Sequence, residues 1–196
     1  MKPTAKNAVP PRERILATAS RLFYAQGVSA TGIDQIIAEA EVAKATLYYH
    51  FKSKTEIVNA YLRERDRAWM EAFKHNLFAI RPLTLPALAD ALEVWFKQKT
   101  FNGCAFINIA TDNPEPAWLT ISRAHKAELR QLIALHCLPE IPDTSRETIA
   151  SQALLVIEGM IVRYQMTRDL KVVADGRTLL GTLAQTTRRK KSVSAR

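Results

Sequence analysis

The chain is poor in the residue patterns that usually carry chemistry. Its two cysteines, Cys104 and Cys137, stand in different segments without C-x-x-C spacing, which fits a reduced, cytoplasmic setting. His125, His136 and Cys137 do not have the spacing of a zinc site, so neither a metal nor any other cofactor is expected. No G-x-S-x-G, H-E-x-x-H, P-loop or dinucleotide glycine pattern occurs, and an enzyme reading has little support. No uninterrupted apolar run approaches about twenty residues, which excludes a membrane-spanning helix. The start, MKPTAKNAVPPRER, is basic but has no apolar h-region, so no secretory signal is expected. Strand-like alternation and repeats at 20–50 residue spacing are also missing. What remains is an all-α chain.

Its 196 residues suit one globular domain plus a small one and allow a sizeable core. The net charge of +9 is unevenly placed. Residues 1–67 carry 11 Lys and Arg against 7 acids, 68–159 carry 8 against 10, and 160–196 carry 9 against 2. A basic protein attracts polyanions, which favours nucleic acid as a partner. Charge alone proves little, because residues 27–54 hold three lysines against three acids.

The stretch 31–54, TGIDQIIAEAEVAKATLYYHFKSK, organises the rest. Ile33, Ile36, Ile37 and Ala40 form one apolar stripe at helical spacing. Thr31 with Asp34 three residues on reads as a capping-box-like start. A turn follows at Glu41-Val42, and Lys44–Tyr49 reads as a second, short helix with Leu47 inward. Ser53-Lys54-Thr55-Glu56 is another S-x-x-E box and opens a longer helix. Two helices joined by a tight turn, the second short and rich in donors, make a helix-turn-helix.

The literal residues go further. Gly27, Thr31, Ile33, Ile36, Ala40, Val42, Thr46-Leu47-Tyr48, His50-Phe51 and Ser53-Lys54 make this segment resemble the DNA-binding part of the TetR family of bacterial transcriptional regulators, specifically over residues 12–60. Two positions depart from the family's pattern: Glu41 stands where a turn glycine is usual, and Ala43 where serine is frequent. A left-handed backbone at Glu41 would cost about 1 kcal/mol. Ala43 removes a hydroxyl that would cap the second helix or touch phosphate.

Arg12–Gln26 reads as a bracing first helix with Ile15, Leu16, Ala19, Leu22 and Phe23 inward and Gly27 as its stop. A long helix is predicted over about 55–77, and further helices over about 85–99, from Pro114–Pro116 to about His136, over about 144–167 and over about 176–187. GCAFINIATDNPEP, from Gly103, resembles the middle of the regulatory domain in one subgroup of the family. The expected organisation is a three-helix DNA-binding domain at 10–60 and a helical effector-binding and dimerisation domain at 61–190. Flexible basic tails are expected at 1–9 and 191–196, where Lys2 and Lys6 belong to a mobile arm.

In a helix-turn-helix the early exposed residues of the second helix reach base edges, which places Lys44, Ala45 and Thr46 at the groove. The resemblance implies backbone contacts for Thr31, Tyr48, Tyr49, His50 and Lys54. It also implies a homodimer on a roughly palindromic operator, acting as a repressor that a small-molecule effector releases. Trp95, Phe96, Phe106, Trp118 and His125 are the effector-site candidates. Ile157, Met160, Ile161 and Tyr164, with Leu179, Leu180 and Leu183, are the candidates for core or dimer interface. The alternatives are a regulator that senses thiol chemistry through Cys104, and a helical ligand-binding protein or enzyme without a DNA function.

Overall fold

In a computed structural model, which describes residues 9–112 and 114–193, every regular element among the described residues is an α-helix. The order is α1 (Pro11–Gln26), α2 (Ile33–Ala40), α3 (Lys44–His50), α4 (Lys54–Phe78), α5 (Ala87–Phe96), α6 (Ala105–Thr111), α7 (Pro116–Cys137), α8 (Asp143–Thr167) and α9 (Lys171–Val193). The expected arm residues Lys2 and Lys6 and the last three residues of the expected C-terminal tail lie outside the described residues.

Contacts divide the chain into two compact units. The first runs through Arg67 and also takes in 105–123; the second holds 68–104 and everything from Ala124 onward.

In the first unit the apolar stripes of α1, α2 and α3 share one core with the start of α4. Ile15, Ala19, Leu22 and Phe23 of α1 are buried, with Ile36 and Ala40 of α2, Leu47 of α3, and Ile57, Val58, Tyr61 and Leu62 of α4. The rings of Phe23 and Tyr61 meet at 5.6 Å. Gly27 ends α1 at φ 91°, a conformation that suits glycine and returns its N–H to the Phe23 carbonyl.

The Thr31–Asp34 capping box does not form. Gly32 is the N-cap of α2 and offers no side chain, while the Thr31 hydroxyl donates backwards to the Gly27 carbonyl at 2.7 Å. The second box forms in part: Ser53 Oγ accepts the Glu56 N–H at 3.2 Å, while Glu56 Oε2 reaches past Ser53 to accept the Lys52 N–H at 2.7 Å. Glu41 has φ 53° and ψ 49°, the left-handed conformation anticipated from its place in the turn. Its N–H returns to Ala38 and that of Val42 to Ile37, the paired bonds that close a helix end tightly.

In the second unit, α8 and α9 pack along each other and α5 lies against both. Leu88, Leu92 and Phe96 share this core with Leu129, Ile133, Ala153, Ile157, Ile161 and Leu180. Gly176 makes the α8–α9 approach workable, because a Cβ there would sit 2.2 Å from Met160 Sδ. Helix α9 begins five residues before its expected start. Arg168, left-handed at φ 56°, closes α8, and Asp169 Oδ1 then accepts the Lys171 N–H at 2.8 Å to open α9 at once.

Replacing Glu41 by glycine should remove the left-handed penalty of roughly 1–2 kcal/mol but give back part of it as unfolded-chain entropy. The expected net gain is about 0.5–1 kcal/mol, read as a higher urea midpoint at unchanged slope. A lower midpoint would show that the Glu41 side chain contributes more than its backbone costs.

Candidate nucleic-acid interface

Helix α3 has seven residues and one fully buried anchor, Leu47. Around that anchor Lys44, Ala45, Tyr48 and Tyr49 are exposed, Tyr49 to 76%, and Thr46 and His50 are half-buried. Six of the eight residues expected to meet nucleic acid therefore share one short helix, most of it facing solvent. Lys54, half-buried, opens the next helix.

The ends of α3 are held unequally. Its N-cap, Ala43, makes no side-chain hydrogen bond, so its first N–H groups lack the usual cap. At the other end Lys52 Nζ donates to the carbonyls of Tyr48 and Tyr49 at 3.2 and 3.3 Å and lies 6.0 Å over the Tyr49 ring. A cation suits the negative end of a helix. Lys52 escaped the sequence reading because only the three-dimensional turn brings its amine back over α3. The turn between α2 and α3 is braced by Arg14 Nη2, which donates to the Glu41 carbonyl at 3.3 Å.

Thr31 requires a correction. It is fully buried, its hydroxyl donating to Gly27 O and accepting from Gln26 Nε2 at 3.2 Å. Its side chain fixes the α1–α2 turn and does not face a backbone phosphate.

Glu39 and Asp34, two of the three acids of this segment, each have a cation nearby. Glu39 pairs with Arg21 and accepts from Gln35, and its carboxyl is held below the usual range chiefly by the Arg21 hydrogen bond and then by Gln35. Asp34 lies 3.7 Å from Lys44, an exposed pair of little energetic weight. Beyond the segment, Asp112 Oδ2 accepts the Ser29 N–H at 3.0 Å, and Glu115 Oε1 accepts the Thr55 hydroxyl at 2.9 Å. An open groove of about 640 Å³ between α1, the end of α3 and α4 is lined by Arg12, Arg63 and Arg67 but equally by Glu13, Glu56 and Glu64. Its balanced charge gives a polyanion no reason to prefer it.

Of the effector candidates, the structure joins three. Trp95 and Phe96 are buried in the second unit with Phe101 and Tyr164: Phe96 stacks on Tyr164 at 4.6 Å, and Trp95 meets Phe101 at 4.9 Å. Trp69 links this cluster to His125, with centroids 5.4 Å from Trp95 and 5.3 Å from His125. Phe106 and Trp118 are buried too, but belong to the first unit. The Trp118 indole N–H has no acceptor although it is buried. Trp69, Phe101 and Tyr164 were missing from the candidate set, since periodicity does not show which rings converge from distant helices.

Of the two roles left open for the core-or-interface candidates, most of them take the core. Ile157, Met160, Ile161, Tyr164 and Leu180 are buried within their own unit, Leu183 is half-buried, and Leu179 alone among them is exposed, to 56%. The apolar residues that α8 turns outward are Leu155, Val162 and Met166, at 68%, 37% and 79% exposure. With Gly159 they fall at i, i+4, i+7 and i+11, a single face.

Cys104 is buried, its sulfur 3.7 Å from Lys126 Nζ, which is also 3.1 Å from Glu158. Burial pushes the Cys137 thiol up to about 12. No group of three potential metal ligands occurs among the described residues, nor is any helix there long and apolar enough to cross a membrane.

Comparison with known proteins agrees with this geometry. Residues 15–61 match the profile of bacterial regulatory proteins of the tetR family. An uncharacterised HTH-type transcriptional regulator from Lactococcus lactis is 25% identical over 184 residues, covering 87% of this chain and 91% of that one. The HTH-type regulator SrpR of Pseudomonas putida is 41% identical over 63 residues, 32% of this chain and 30% of that protein; this match thus spans under a third of the relative. Among solved structures, a TetR-family transcriptional regulator from Streptomyces coelicolor superposes with a TM-score of 0.78 at 26% identity, covering 90% of this chain and 95% of that one.

Thr31→Val keeps the volume and removes the hydroxyl. It should cost about 1 kcal/mol of stability while leaving the salt dependence of DNA binding unchanged. A shallower salt slope would return Thr31 to the phosphate contacts.

Proposed function

We propose that this chain, similar to the TetR family of DNA-binding transcriptional regulators, is a cytoplasmic, homodimeric repressor released from a roughly palindromic operator by a small-molecule effector. The observation that carries the DNA-reading assignment is the surface of α3, a helix anchored by Leu47 whose other side chains largely face outward.

In this reading residues 10–60 bind the operator. The α3 helix enters the major groove, where the Thr46 hydroxyl and the Ala45 methyl meet base edges. Lys44, Tyr48, Tyr49, His50 and Lys54 hold the sugar–phosphate backbone, which sets register and supplies the salt-dependent part of affinity. Seven residues offer few base contacts, so two copies on successive major grooves, about 34 Å apart, are needed for specific affinity.

Residues 61–190 serve effector binding and dimerisation. The dimer contact is assigned to Leu155, Val162 and Met166 of α8 with Leu179 of α9, because apolar side chains this exposed are stabilised by burial against a second copy. The effector is assigned to the aromatic cluster of Trp69, Trp95, Phe101 and His125. Its binding favours a dimer whose reading heads no longer match the half-sites, a coupling typically of about 1–3 kcal/mol.

The test is titration onto labelled duplex from upstream of the protein's own coding region, beside a scrambled duplex, at two salt concentrations. Tighter binding to the native duplex at both salts is expected; equal, steeply salt-sensitive binding to both would sink the operator assignment. Lys54→Ala should weaken both duplexes alike and lower the salt slope by roughly two per dimer, whereas Thr46→Ala should change sequence preference. Equal loss on both duplexes from Thr46→Ala would end its base-reading role. Met166→Glu should shift sedimentation toward the monomer and cost operator affinity at low protein concentration; an unchanged dimer would place the interface elsewhere.

A further inference from the structure

Two acidic side chains that the reading helix does not use hold the helix-turn-helix from outside it. Asp112, directly after α6, accepts the Ser29 N–H from 83 residues away in sequence. Its carboxyl is held below the usual range, first by that backbone hydrogen bond, then by the Ser29 hydroxyl and more weakly by the charge of Lys54. The approach is close: a Cβ added at Gly27 would lie 3.4 Å from Asp112 Oδ2. Glu115, just before α7, accepts the Thr55 hydroxyl at 2.9 Å. Ser29 lies in the turn that leads into α2, and Thr55 in the first turn after α3. The two carboxylates therefore grip both flanks of the α2–α3 pair, and all four residues belong to the first unit.

Resting on the DNA-reading assignment above, we propose that Asp112 and Glu115 are positioning residues for operator recognition, fixing the entry to α2 and the exit from α3 so that the reading helix meets the groove in register. Base recognition tolerates little positional slack, so supporting contacts outside the reading helix set how much of its affinity is realised.

The sign of the effect separates this role from a purely electrostatic one. An acid near DNA repels phosphate, so removing Asp112 and Glu115 would strengthen binding if their charge were all that mattered. As positioning residues, their removal weakens operator binding specifically.

The experiment uses the full chain, with the upstream duplex and its scrambled partner. The double variant Asp112→Ala/Glu115→Ala should lose about tenfold in affinity for the native duplex, while binding scrambled DNA as tightly as before or more tightly. Asp112→Asn keeps an acceptor oxygen for the Ser29 N–H and should stay within about threefold of the unmodified protein. Hydrogen exchange at the Ser29 amide should quicken in Asp112→Ala and remain slow in Asp112→Asn. Unchanged or tighter binding of the native duplex by the double variant overturns the proposal, as does equal loss on both duplexes. If the unmodified protein does not distinguish the two duplexes, the operator assignment fails instead, and Ser29 exchange then decides whether Asp112 holds the turn.

Discussion

Helix α3 cannot hold itself. Seven residues are far below the length at which an isolated helix is stable in water, about 12–15 residues, and its largely exposed surface leaves little apolar area to bury. Its position depends on Leu47, sunk into the core formed by α1, α2 and α4. Arg14 on the Glu41 carbonyl braces the turn before α3, and Lys52 on the carbonyls of Tyr48 and Tyr49 holds its C-terminal end. Everything placed around α3 has the same consequence: little orienting freedom is left to the exposed face, and little of that face is spent on holding it.

This dependence explains why the first unit reaches past the three-helix segment. Residues 105–123 belong to it although they follow α5 in sequence, and their carboxylates end on the turns either side of α2–α3. Helices α4 and α7 each begin in this unit and continue unbroken beyond it. At 25 residues α4 is about 37 Å long.

The helices were legible because apolar spacing and Pro or Gly punctuation act locally; α8 was expected at about 144–167 and lies at Asp143–Thr167. The strained turn was legible only through the family resemblance, since Glu41 stands where that family usually has a turn glycine. Thr31 was not, because a threonine before a helix can cap forward or donate backwards, and only the Gly27 carbonyl at 2.7 Å decides it. Nor was the outward face of α8. That helix is apolar on nearly every side, so periodicity cannot say whether Ile157 and Ile161 or Leu155 and Met166 face the chain's own core. The Asp112–Ser29 bond spans 83 residues and leaves no periodic trace at all.

The balance of charge in the reading segment also acquires a physical account. Three acids among residues 27–54 would oppose a phosphate backbone if they were free. Glu39 is instead held by Arg21 and Gln35, and Asp34 faces Lys44. Within a Debye length of about 10 Å at 0.1 M salt, a paired carboxylate and its cation present a dipole in place of a bare negative charge, and the repulsion falls off accordingly. Glu41 lends its backbone carbonyl to Arg14. The segment can therefore be near neutral overall and still meet a polyanion, since Glu39 is occupied by Arg21 and Gln35 while Lys44 stands on the exposed face of α3.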